Sequence, residues 1–369
     1  MIDNFNTLTK SVKQSIQLDW NKPVWIFGAG SFGRSLSQAM DHNGIEVAGF
    51  VETNPNTTKI LEKSLLNWED LAKYFPEAQI ALGIFNRNTP FNRLIKIAEQ
   101  SGFTNLIMPW DSYEKFSKQL GWRYWLSKRS DLIAGIERIS KVASKLADQE
   151  SHNTLCRITA FRLGLDMEYA SEKTNDNQYF NEISLRTLRN KEINYVDCGA
   201  YTGDTYLDLL SQKSINCKQS FLMEPDPVNF QKLVATIKNN KELNNAICLP
   251  LAAAKNYSII KFNAGFEESG SISKSGNMNI TAVSLDELLQ KIKIDFIKLD
   301  VEGAELEVLK GAKEIIKNSR PVLALSLYHN PQDIWLLPEY IFSMTEDYEY
   351  FIRQHYFNSF DSVFYAIPK

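Results

Sequence analysis

Short apolar runs that stop at a glycine or a carboxylate, each followed by apolar positions at helical spacing, recur along this chain. That alternation predicts parallel strands joined by helices, an α/β architecture. Its organising stretch is Ile193-Asn194-Tyr195-Val196-Asp197-Cys198-Gly199-Ala200-Tyr201-Thr202-Gly203-Asp204-Thr205, where a buried strand turns through a glycine-rich loop into a helix. Downstream, the pattern predicts strands over 221–225, 246–253, 294–300 and 321–328, then two antiparallel strands over 348–355 and 362–367. Val308, Leu309, Ala312, Ile315 and Ile316 form the buried face of a helix after residue 300. Upstream, a strand over 24–27, a helix over 34–43 stopped by Gly44 and a strand over 47–52 make a βαβ unit. Strands over 79–84 and 105–108 flank a helix over 92–101, and helical spacing dominates from 110 to 191.

Composition narrows the class. At 369 residues the chain exceeds what one core usually fills, so two domains are expected. An apolar content of 44% and a charged content of 23% exclude a disordered or fibrous protein. A net charge of -3 argues against nucleic-acid binding. No apolar run approaches the roughly 18 residues of a membrane span, and the polar stretch over 1–18 is unlike a secretory leader. Cys156, Cys198, Cys217 and Cys248 lack metal-site spacing and read as reduced thiols, which points to the cytoplasm.

The first candidate site is the G-x-G-x-x-G of Gly28-Ala29-Gly30-Ser31-Phe32-Gly33. Glycines let the backbone approach an anion, and the following helix offers free N–H groups. Glu52 lies where an acid takes ribose hydroxyls. Either a bound nucleotide or a purely structural turn satisfies this pattern. Ile26-Phe27-Gly28-Ala29-Gly30 and Gly49-Phe50-Val51-Glu52-Thr53-Asn54-Pro55 resemble the nucleotide-sugar-binding domain that precedes the catalytic part of some sugar acetyltransferases. That family usually has Asp at the position of Glu52. Farther on, Lys115, Lys118, Arg123, Lys128, Arg129, Arg138, Lys141 and Lys145 interleave with Trp122, Tyr124 and Trp125. They form either a groove for an anionic or glycosidic substrate or a solvated helix face with its aromatics turned inward.

The second candidate site gathers more chemistry. Gly199 and Gly203 free the loop of Cβ atoms, and Asp204 and Thr205 open a helix whose N-terminus suits a carboxylate. Glu224 ends the next strand as an acceptor for a ribose diol, Asp226 opens the following helix, and Ala252 leaves room for a flat ring. Asp300, Glu302 and Glu305 meet at one strand-helix corner. Asp197-Cys198-Gly199-Ala200-Tyr201-Thr202-Gly203-Asp204-Thr205, Met223-Glu224-Pro225-Asp226, Ile297-Lys298-Leu299-Asp300-Val301-Glu302-Gly303-Ala304-Glu305 and Ser326-Leu327-Tyr328-His329-Asn330-Pro331-Gln332-Asp333-Ile334-Trp335 resemble, in order, the motifs of FkbM-type methyltransferases. The resemblance implies S-adenosylmethionine on a class I, seven-stranded, doubly wound sheet and O-methylation of sugars or natural products. It implies that Asp197, Gly199, Ala200, Tyr201, Gly203, Asp204 and Thr205 surround the methionine part, Glu224 the ribose, and Asp300 the sulfonium.

Methyl transfer to oxygen needs an aligned acceptor and a proton acceptor. His329 is the first candidate base, followed by Glu302 and Glu305, with His355 near the acceptor; a structural hydrogen bond is the alternative for each histidine. The three carboxylates would also suit Mg²⁺, against helix capping by Glu305; no metal is assigned. The expected division is a Rossmann-like domain over 1–112, a helical connector or lid over 113–190 and a methyltransferase domain over 191–369. The partners expected are a small-molecule or glycan acceptor and a nucleotide or sugar nucleotide at the first domain, with self-association left open. An NAD(P)-dependent oxidoreductase using the first glycine loop, or a non-catalytic nucleotide-binding module in glycan assembly, are the rival readings.

Overall fold

A computed structural model describes residues 2–12, 19–240, 245–263, 271–272 and 276–369. Its second half is built on a seven-stranded sheet. The strands run in the order Tyr348–Gln354, Ser362–Pro368, Val322–Ser326, Phe296–Leu299, Glu192–Cys198, Asn216–Met223 and Ala246–Leu249. Ser362–Pro368 lies antiparallel to both neighbours, and the other pairings are parallel. This is the doubly wound sheet expected. The central strands are buried on both faces, as a sheet covered by helices on each side requires: Val322–Ser326 and Phe296–Leu299 are buried throughout.

The first half carries a six-stranded sheet in the order Lys59–Ile60, Lys63–Leu66, Val47–Val51, Val24–Phe27, Gln79–Leu82 and Leu106–Ile107. Its apolar core continues through Trp110, Phe116, Trp125 and Phe161 into one face of the larger sheet. On the other face of that sheet, Phe180, Tyr195, Tyr206 and Phe296 pack together.

One expectation is corrected, and two features are added. The strand over 246–253 breaks: Ala252–Ala253 leaves the main sheet to pair with Met278–Val283 in a separate four-stranded sheet. Pro250 lies at the break and has no N–H for the ladder. Within the helical stretch over 110–191, Arg129–Ala134 and Ile136–Ala143 are set off from Pro109–Leu120 by an irregular segment. Gly121 at φ +64° ends the first helix, and Tyr124 adopts φ +49° within that segment. The short pair Lys59–Ile60 and Lys63–Leu66, too brief for a periodic signal, extends the first sheet.

One ion pair ties the main sheet together. Asp197 and Lys298 are direct register partners on adjacent strands, and their charges meet at 2.9 Å with both side chains buried. Tyr195 donates its hydroxyl to Asp197 at 2.9 Å, and Lys298 donates to the Gly199 carbonyl at 2.5 Å. Burial works against the ammonium, yet Asp197 and Asp300 outweigh it and hold the Lys298 pKa above its usual value. Removing one partner of such a pair leaves the other charge stranded. Lys298→Met is expected to cost about 3–5 kcal/mol in urea unfolding, and Lys298→Met with Asp197→Leu to recover most of that loss.

Candidate active site

The C-terminal ends of the parallel strands open into a cavity of about 390 Å³. One end is lined by Gly199, Tyr201, Asp204 and Thr205 of the glycine loop, by Glu224 and Asp226, and by Ala252 and Ala253. Asp300 and Glu302 line the other end, with Tyr124, Tyr179, Tyr328, Phe360 and Asp361. Phe85, Asn86, Arg87 and Asn88, from the loop after strand Gln79–Leu82 of the first sheet, complete the wall. The two halves of the chain therefore share one cavity.

Backbone geometry explains the glycine loop. Gly199 and Gly203 both lie at φ +88°, and a Cβ on Gly199 would stand 1.9 Å from the Asp300 carbonyl oxygen. Tyr201, also left-handed at φ +47°, donates its N–H to Glu224 Oε2 at 2.9 Å. Asp226 donates its N–H to Glu224 Oε1 at 2.8 Å. These two bonds aim the carboxylate while leaving it lone pairs for a ligand. Burial raises the Glu224 pKa to about 7, opposed by the Asp226 and Tyr201 N–H groups.

At the opposite end a second strained turn presents Glu302, at φ +52°, followed by Gly303 at φ +97°. Glu305 holds this turn from behind, its Oε1 accepting from the Val301 N–H at 3.0 Å and lying 2.7 Å from His329 Nδ1. Burial favours neutral Glu302, and Asp300 and Glu305 add to it against His329, so its pKa rises to about 8. Burial also opposes charge on Asp300, but Lys298 and His329 outweigh it and hold that carboxyl below its usual range. Tyr179 donates to Asp300 Oδ2 at 2.8 Å.

His329 is fully buried behind Asp300 and Glu302 and does not line the cavity. Burial alone would depress its pKa; Glu305, Glu302 and Asp300 outweigh burial and raise it well above its usual value. The expectation of His329 as the free base at the ligand edge is corrected on both counts. Glu305 is likewise buried, supporting the turn. His355 is also outside the cavity lining: its Nε2 lies 2.6 Å from the Tyr365 hydroxyl, and burial lowers its pKa to about 4. Among the acidic and histidine candidates for proton transfer, Glu302 alone faces the cavity.

Asp197 and Ala200 lie beneath the loop, fully buried. The first glycine loop is also outside the cavity lining. There, a Cβ on Gly33 would meet the Gly28 carbonyl oxygen at 2.0 Å, so the glycine serves close packing. Glu52 Oε1 accepts from the Ala29 N–H at 3.0 Å, repeating the Glu224–Tyr201 arrangement. Sequence reasoning did not single out Asn86, Arg87, Phe360 or Asp361. Arg87 pairs with Asp361 at 3.4 Å, and Asn358 donates to the Asn86 and Thr89 carbonyls at 2.8 Å. The position of Arg87 after a parallel strand was a usable signal, since such edges bind ligands. Of the basic-aromatic stretch, Tyr124 reaches the cavity, Trp125 is buried, and Trp122 donates its indole N–H to the His329 carbonyl at 2.8 Å.

The model of the methyltransferase FkbM domain matches residues 197–359. The solved methyltransferase FkbM of Methylobacillus flagellatus KT is similar at 22% identity, over 99% of this chain and 97% of that one, with a TM-score of 0.78, and establishes the fold. An rRNA methylase from Streptococcus thermophilus is similar at 11% identity, over 51% of this chain and 94% of that one, with a TM-score of 0.33. A SAM-dependent methyltransferase from Aquifex aeolicus is similar at 16% identity, over 52% of this chain and 92% of that one, with a TM-score of 0.31. No curated protein matches the sequence. Gly199→Ala, which combines an occupied Cβ position with an unfavourable φ, is expected to destabilise the fold by at least about 2 kcal/mol, read from its thermal midpoint.

Proposed function

From the match of residues 197–359 to the methyltransferase FkbM domain, we propose that this chain transfers a methyl group from S-adenosylmethionine to a hydroxyl of a sugar, glycan or polyhydroxylated natural product. The observation that carries the reading is one cavity with a Cβ-free loop and an aimed carboxylate at one end and acidic side chains at the other. When bound, S-adenosylmethionine would supply an activated methyl group. The loop over 199–205 would hold its methionine part, with Asp204 answering the ammonium. Glu224 would take the ribose diol, and Ala252 and Ala253 fit a flat base. Asp300 lies on the side where the sulfonium would sit.

The protein's work is then alignment and proton removal. Glu302, ionising near neutral pH on the cavity wall, is the proton acceptor in this proposal. Asn86, Asn88, Tyr124, Tyr328 and Phe360 offer amides and aromatic faces suited to a glycosidic acceptor. In this reading the unit over 1–112 shapes the acceptor side, the connector over 113–190 supplies Tyr124 and Tyr179, and 191–369 carries the cofactor. The four cysteines are free thiols, which suits a cytoplasmic setting. Among the described residues no helix is long and apolar enough to cross a membrane.

Two outcomes follow from the acids. In the folded chain the Glu224 pKa stands at about 7 against 4.5 ordinarily, so its contribution to stability is complete below pH 4.5 and lost as pH rises through 7. Ribose hydroxyls donate to the ionised form. Affinity for S-adenosylhomocysteine, measured by calorimetry, should therefore rise about tenfold from pH 6 to pH 8. Glu224→Gln should flatten that profile; a flat profile in the native chain places the ribose elsewhere. Glu302→Gln should lower kcat by about 10²-fold or more, with S-adenosylhomocysteine affinity within about twofold. Full turnover in that variant removes Glu302 as proton acceptor.

A further inference from the structure

The acceptor end of the cavity draws on both halves of the chain, and the two contributions differ chemically. Asp300 and Glu302, from the larger sheet, offer carboxylate oxygens. The loop over 85–88, from the first sheet, offers hydrogen-bond donors. Asn86 Oδ1 accepts from the Asn88 N–H at 2.9 Å and the Thr89 N–H at 3.2 Å, which turns the amide nitrogen the other way. Arg87 is the second donor of this loop, with a side chain 34% exposed.

Arg87 is anchored by a buried partner. Its Nη1 lies 3.4 Å from both oxygens of Asp361, a side chain only 2% exposed, and the guanidinium stands 5.3 Å from the centre of the Tyr356 ring. Burial raises the Asp361 pKa to about 6 against the pull of Arg87, so above that pH the pair carries both charges and sums to none. Such a pair offers donors without attracting an anion. The turn that bears Asp361 is left-handed at Asn358, Ser359 and Asp361, with φ of +57°, +61° and +51°. Asn358 secures it by accepting from the Phe91 N–H at 2.9 Å, beside its bonds to the Asn86 and Thr89 carbonyls. Ser359 Oγ accepts from Nε of the buried Arg162 at 3.0 Å. The connection between strands Tyr348–Gln354 and Ser362–Pro368 is longer than their pairing needs, and these bonds hold it where Asp361 meets Arg87.

Tyr124 adds an aromatic face to the same end. It is half-buried, with Phe360 edge-on at 5.4 Å and Tyr328 stacked at 6.3 Å. The C–H face of a sugar ring packs on such an aromatic, while its hydroxyls both donate to carboxylates and accept from N–H groups. We propose that Arg87 and Asn86 donate to hydroxyl oxygens of an uncharged sugar ring lying on Tyr124, and that Asp361 is a positioning residue that cancels the charge of Arg87 and so selects against acidic sugars. This deepens the methyltransferase reading and rests on it for the reaction, though ring binding itself does not.

The probes are the methyl glycosides of glucose, mannose and galactose and the matching uronates, titrated by saturation-transfer NMR into full-length protein with and without S-adenosylhomocysteine. At least one neutral glycoside should bind the native chain about tenfold or more tighter than its uronate. Arg87→Gln should weaken that binding by about tenfold or more, with S-adenosylhomocysteine affinity within twofold showing the variant folded. Asp361→Asn should reverse the preference toward the uronate, which loss of packing alone would not do. Neutral binding untouched by Arg87→Gln, an unreversed preference in Asp361→Asn, or a native preference for uronates overturns the proposal. So does the absence of glycoside binding in a chain that binds S-adenosylhomocysteine. Arg87-dependent glycoside binding without S-adenosylhomocysteine binding would keep the ring site and sink the methyltransferase reading instead.

Discussion

The buried ion pair between Asp197 and Lys298 sets the geometry on which the cavity depends. It lies across two central strands one step below the point where both end. Through Lys298 it reaches the Gly199 carbonyl, and a Cβ-free Gly199 lets that strand end stand against Asp300. Loop and acidic corner are therefore held at fixed separation by the sheet itself. A ligand entering there meets preorganised groups and need not order them, which is the condition for alignment to speed a transfer.

The two ends of the cavity use carboxylates differently. Glu224 is aimed by two backbone N–H groups and keeps acceptor capacity, as a diol site requires. Glu302 is displayed by a strained turn with few partners, next to Asp300 and in front of His329. Such strain persists only where surrounding contacts over-determine it, and Glu305 supplies them by gripping the turn and the imidazole together.

Much of this was legible in the sequence, for identifiable reasons. The parallel strands announced themselves because both faces are buried and their apolar runs are continuous. Gly199, Glu224, Asp300 and Glu302 were found because they follow such strands directly. Phe85 to Asn88 and Asp361 reach the cavity through contacts more than 260 residues apart, such as Arg87 with Asp361 and Asn358 with Asn86, which local pattern cannot reveal. His329 was placed at the right edge but on the wrong side of its neighbours, since its depth is set by the Glu305 bond. The strand expected over 246–253 ran through Pro250, whose missing N–H was the local signal for the break that the structure shows there.

In the proposed reading S-adenosylmethionine occupies the cavity of the larger sheet and not the first glycine loop. A crystal structure of the chain grown with S-adenosylhomocysteine tests it most directly. The ribose hydroxyls should lie within hydrogen-bond distance of Glu224, with the sulfur directed toward Asp300. Density for the ligand at Gly28 to Gly33, with the Glu224 cavity holding only water, would contradict it.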